Sequence, residues 1–129
     1  MDKSVDNIHI VFENCEYIEV PCSDFRYINL YDITESICMN NLLLREKENA
    51  HYFRTAKRAK VVIVDKPEYQ RVKQYSDITH FQLRSGNTEL DYVGIRWSDD
   101  SSDWSNKGQV VTTIGDEIHI DINLEQDDE

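Results

Sequence analysis

Positions 97 to 109 read WSDDSSDWSNKGQ, and closely spaced aspartates interleaved with serines are the residue types that hold a hard cation through oxygen. An EF-hand-like loop begun at Asp99 puts Ser101 and Asp103 at its third and fifth positions. Trp104 then stands at the sixth, where the sharp turn needs Gly, and Val110 at the twelfth, where a bidentate Glu must close the cage. Asp99, Asp100 and Asp103 are left as an irregular oxygen set, weighed against the commoner case of a solvated connection whose Asp and Ser side chains cap local backbone groups. The two IHI triplets, Ile8-His9-Ile10 and Ile118-His119-Ile120, offer a second set. If the first and last strands were neighbours, His9, His119 and Asp121 would supply two imidazoles and a carboxylate for zinc or iron. Without that pairing they are ordinary outward-facing histidines, and His51 and His80 have still less context. The reading adopted is no metal and no cofactor.

Nucleophilic and phosphate chemistry leave no signature. There is no GxSxG, HExxH, GxxxxGK[ST] or GxGxxG, and four glycines give little material for a phosphate cradle. Cys15, Cys22 and Cys38 are an odd number at spacings that match neither a CxxC pair nor a zinc knuckle, so they read as reduced thiols packed as small hydrophobes. The expectation is a protein that is not an enzyme.

Charge narrows the partners. The chain carries a net charge of −11 over 129 residues, unevenly spread. From Asn41 to Tyr75 nine Lys/Arg outnumber four acids, so the rest of the chain is strongly acidic. Such a surface repels nucleic acid and attracts basic partners. Arg54, Lys57, Arg58 and Lys60, with Tyr52 and Phe53 just upstream, have the ingredients of a strand-tracking patch, cations for phosphate and aromatics for stacking. The surrounding acidity argues against direct nucleic-acid binding.

These residues need elements to position them. IHIVF (8 to 12) and CEYIEV (15 to 20), separated by Glu13-Asn14, read as a hairpin, and FRYINLYDI (25 to 33) as a third strand. Residues 41 to 57 read as a helix or a long excursion. AKVVIV (59 to 64) is a buried strand stopped by Asp65-Lys66-Pro67, and PEYQRVKQ opens a short helix on its proline. DITHFQLR (77 to 84), ELDYVGIRW (89 to 97), QVVTTI (109 to 114) and EIHIDINL (117 to 124) read as a meander, with Gly115-Asp116 suited to a two-residue type II′ turn. About eight short strands with turn signals between them predict an all-β, mainly antiparallel sandwich or barrel-like sheet pair with at most one or two short helices. One domain over residues 1 to 124 and an acidic frayed tail at 125 to 129 complete the expected organisation. VVIV is too short to cross a bilayer and MDKSVDN lacks the apolar stretch of a signal peptide, so a cytoplasmic location without membrane association is expected.

The segments VFENCEYIEVP, DITHFQL, ELDYVGIRWSDD, NKGQ and EIHIDI resemble a group of uncharacterised small proteins of bacteriophages and prophages of Gram-positive bacteria. The resemblance implies an accessory protein of a phage or mobile element and transfers no site residue. With the acidity, it leads to the expectation of a non-enzymatic protein that binds another protein, an acidic inhibitor of a host nucleic-acid-binding or defence component. The expected contact is Trp97, Asp99, Asp100, Asp103 and Trp104, aromatic anchors rimmed by charge. The alternative is a virion structural or assembly protein forming a homodimer or higher oligomer.

Overall fold

The computed structural model describes residues 5–30, 58–74, 77–95 and 109–123. They contain eight strands: β1 (Asn7–Phe12), β2 (Tyr17–Pro21), β3 (Phe25–Leu30), β4 (Arg58–Val64), β5 (Ile78–Ser85), β6 (Thr88–Gly94), β7 (Gln109–Ile114) and β8 (Glu117–Asn123). A single-turn 3₁₀ segment, Cys22–Asp24, links β2 to β3. A second, Pro67–Tyr69, runs into the helix α1 (Gln70–Gln74). All pairings are antiparallel, and they give two four-stranded sheets of order β2-β1-β5-β6 and β3-β4-β8-β7. The architecture is an all-β sandwich and not a closed barrel.

Period-two alternation produces the core. Ile8, Ile10 and Phe12 of β1 and Phe81 and Leu83 of β5 face inward from one sheet. Ala59, Val61 and Ile63 of β4 and Ile118, Ile120 and Ile122 of β8 face them from the other. Each of these Val, Leu, Ile and Phe side chains withdrawn from water contributes about 1.5–3 kcal/mol before the entropy of ordering is charged against it. At one end of the sandwich, α1 buries Val72 and follows the buried Tyr69. The Tyr69 hydroxyl donates to Asp24 Oδ2 at 2.5 Å, and Lys66 Nζ donates to the same oxygen at 3.0 Å. Burial alone would raise the Asp24 carboxyl, but these two donors outweigh it and hold the group below the usual value. Arg71 lies over the Phe12 ring at 4.2 Å and reaches Glu16 at 3.3 Å, pinning the helix to the first hairpin.

Two expectations need correction, and one conditional arrangement is ruled out. The C-terminal strands are not one meander: β5–β6 belongs to the first sheet and β7–β8 to the second. Alternation specifies which face of a strand is buried, and either sheet satisfies it. The first and last strands do not pair, because β1 is flanked by β2 and β5 while β8 is flanked by β4 and β7. His9 and His119 therefore sit on different sheets and cannot share a metal. The first hairpin closes over Glu13, Asn14 and Cys15, one residue more than expected. Cys15 takes a left-handed conformation at φ 73°, its N–H donates to the Phe12 carbonyl at 2.8 Å, and Asn14 Oδ1 accepts the Glu16 N–H at 3.0 Å. The expected type II′ turn is present at Gly115 (φ +61°), where only glycine adopts the required backbone without strain. The 41 to 57 segment lies outside the described residues.

Candidate functional site

The outer face of the β2-β1-β5-β6 sheet concentrates ring side chains. On its central pair, Val11 stands opposite His80 and His9 opposite Gln82. On the flanking strands, Tyr17 stands opposite Val11 and Tyr92 opposite Gln82. Each tyrosine leans diagonally onto the histidine of the neighbouring central strand, the reach that cross-strand diagonals allow. The Tyr17 and His9 rings stack with centroids 4.2 Å apart and planes 7° from parallel. Tyr92 and His80 meet edge to face at 5.8 Å and 79°. The local two-fold of the antiparallel β1–β5 pair maps one couple onto the other, His9 onto His80 and Tyr17 onto Tyr92.

The electrostatics of this platform follow from burial. His9 is only 9% exposed beneath its tyrosine, whereas Tyr17 and Tyr92 are 58% and 52% exposed. Desolvation, helped by the Arg84 guanidinium, lowers the His9 pKa from 6.5, against a weaker opposing pull from Glu19 and Glu89. Desolvation likewise lowers that of His80, opposed by Glu89. Both rings are therefore neutral at pH 7, and the centre of the face is uncharged. Glu19 stands opposite His9, Arg84 opposite Asn7 and Glu89 opposite Arg84, on the surrounding outward positions. Thr79 Oγ1 lies 3.3 Å from the Val11 carbonyl and 3.0 Å from His80 Nδ1, which fixes the second histidine's orientation. Four rings, a central amide and a mixed-charge margin make a surface for contact.

The other outer face is different in kind. His119 on β8 receives Tyr27 edge-on at 6.5 Å and bonds Glu117 through Nε2 at 3.0 Å. That bond, reinforced by Arg26 Nε at 3.2 Å, lowers the Glu117 carboxyl from its ordinary value. His119 Nδ1 is buried and has no hydrogen-bond partner. Arg58 and Lys60, the described half of the expected basic patch, project outward from β4, where Lys60 stands opposite Asp121 in register. An acid in the adjoining strand dilutes any cationic track there. Arg54 and Lys57 lie outside the described residues, as do Trp97, Asp99, Asp100, Asp103 and Trp104.

Among the described residues no three His, Cys, Asp or Glu side chains are grouped to hold a metal ion. Cys15 is an exposed free thiol, and Cys22 Sγ donates to the Val5 carbonyl at 3.4 Å. Burial, with the nearby Asp6 carboxylate, pushes the Cys22 thiol up to about 11, so it is not a thiolate at neutral pH. No helix among the described residues is long and apolar enough to cross a membrane. Sequence reasoning passed over Tyr17, Tyr92 and His80. Their signal was an aromatic or imidazole ring at the outward phase of strands whose alternate positions are apolar. The chain matches no protein-family profile, no curated protein and no solved structure.

Proposed function

We propose that this protein is a non-enzymatic binding domain that docks a partner protein on the outer face of the β2-β1-β5-β6 sheet. The observation that carries the reading is the pair of exposed tyrosines seated on neutral, desolvated histidines. Tyrosine offers a large contact area with few rotatable bonds, and rings already held in place by a neighbour lose little freedom on binding. The net charge of −11 selects a partner with a basic surface and speeds its approach. A phage accessory protein acting on a host nucleic-acid-binding or defence component is the specific form of this reading, since such components carry basic surfaces. The acidic segment containing Trp97, Asp99, Asp100, Asp103 and Trp104 follows β6 in the chain, directly after the strand that bears Tyr92, and serves in the proposal as a second contact.

The test uses immobilised full-length protein, wild type and a Tyr17→Ala/Tyr92→Ala variant, to capture proteins from a bacterial host extract. The captured species is then purified and titrated calorimetrically against both forms. The double variant is expected to bind about a hundredfold more weakly, the loss of two ring contacts of roughly 1–2 kcal/mol each. Equal affinity for both forms removes the platform from the interface.

A further inference from the structure

Among the described residues four edge strands bound the two sheets, and three of them carry features that discourage a further strand. β2 has Glu19 and Pro21. β3 has an exposed Arg26 and a register shift between Phe25 and Tyr27. β6 has Glu89 and Asp91 and pairs through a shift between Leu83 and Arg84 of its neighbour. β7, QVVTTI, has no charge, no proline and no irregularity in its register with β8. Val110 to Ile114 are all β-branched, the composition that most favours an extended strand. The neighbouring helix α1 leaves Thr112, Thr113 and Ile114 exposed, the last at 56%.

The hairpin fixes which backbone groups this edge offers. Ile114 and Glu117 flank the two-residue Gly115-Asp116 turn and so exchange both ladder bonds. Alternation then turns the N–H and C=O of Val110 and Thr112 toward β8 and those of Val111 and Thr113 toward the open side. On the outer face, Asp121 stands opposite Val110 one strand inward. A side chain on a strand added beyond β7 would lie about 10 Å from it, two strand spacings, a gap that a lysine or arginine and an aspartate close together.

From this we infer that β7 is an acceptor edge for an extended segment of a partner protein, one carrying Lys or Arg at the positions that overlie the outer face of the sheet. Backbone pairing with Val111 and Thr113 provides the hold, and the net charge of −11 selects the cations, with Asp121 shared between the added strand and Lys60 on its other side. A second copy of this chain is the poorer occupant, because it brings the same −11 and places its own Asp121 on the same face of the joined sheet.

The test adds a capped synthetic octapeptide, lysine alternating with valine and threonine, to isotope-labelled full-length protein. Amide shifts and slowed hydrogen exchange are expected at Val111 and Thr113. Val111→Pro deletes an N–H that points away from β8 and so spares the β7–β8 ladder, and it should weaken binding about tenfold. The same peptide N-methylated at alternate residues keeps every charge and side chain but cannot pair along one edge. It should bind at least about tenfold more weakly, and it tests the idea even if Val111→Pro does not fold. The Tyr17→Ala/Tyr92→Ala variant should bind the peptide as wild type does, which separates this edge from the platform. Equal binding of the N-methylated peptide, or perturbations away from β7, overturn the proposal. So does protection of Val111 and Thr113 that rises with protein concentration alone and accompanies a sedimenting dimer, since the edge would then belong to a second copy.

Discussion

On the first sheet the outward positions of the two central strands hold His9, Val11, His80 and Gln82; on the second they hold Lys60, Val62, His119 and Asp121. His9 is buried by the ring of Tyr17, a side chain that itself stays in solvent. Val62 has no exposed surface at all and His119 has 6%, although both point away from the sandwich interior. The lesson is that outward phase on a strand does not fix accessibility. One face covers its polar rings with residues that remain available to a partner. The other consumes its outward side chains in structure, with His119 tied to Glu117 and Glu117 to Arg26.

The sharpest way to break this contrast is a charge on each face. Val62→Asp should lower the free energy of unfolding by about 3 kcal/mol, because a carboxylate would be sealed from water without a partner. Tyr92→Asp should change it by less than about 1 kcal/mol. Urea titrations that gave equal losses would erase the distinction between the faces. Next in size, His119→Ala should cost about 1–2 kcal/mol through lost packing of a buried ring. It should also let the Glu117 carboxyl rise toward its ordinary pKa, since its first cause of depression is the His119 hydrogen bond. A carboxyl-carbon NMR titration that left Glu117 unchanged would refute that coupling.

Acid should act on the first face by a definite sign. His9 and His80 have folded pKa values below 6.5, so below that pH the unfolded chain takes up protons that the folded chain refuses. Their contribution to stability is complete above pH 6.5 and is lost as pH falls through that value toward the folded pKa values. A His9→Gln/His80→Gln variant should show a flatter dependence of unfolding free energy between about pH 6.5 and 5, and an unaltered slope would contradict the burial of both rings. Tyr17→Ala acts on the stacked pair itself. It should cost about 0.5–1.5 kcal/mol for the stacked pair and return the His9 pKa toward 6.5 as water reaches the ring. Proton NMR of the imidazole reads that shift directly.

What the sequence reveals here is local. QVVTTI, Gly115-Asp116 and the start of EIHIDINL specify strand, turn and strand, because alternation and turn chemistry operate over a few positions. The helix opening on Pro67 was equally readable, for the same reason. Strand order was not, since Ile118, Ile120 and Ile122 would be buried as well in either sheet. The platform was hidden by that gap. Tyr17, His9, His80 and Tyr92 come from four strands, and their pairing exists only once the register across β2, β1, β5 and β6 is known. The first hairpin's extra residue, Cys15, was missed because cysteine is an unusual occupant of a left-handed position that glycine or asparagine commonly fills.

The placement of β1 bears on how the chain comes to be folded. It precedes the other described strands in the chain, yet it lies inside its sheet, with Ile8 opposite Val20 on one side and Leu83 on the other. The hairpin with β2 closes at once, but Ile8, Ile10 and Phe12 have no sheet to complete them until β5 has been made. A contact so distant in sequence must be reached by closing a long loop, which places folding in the slow, millisecond-to-second regime of β-sandwiches. Until β5 is made, the β1–β2 hairpin leaves one edge of β1 unpaired beside apolar side chains, the kind of transient surface that is prone to aggregation.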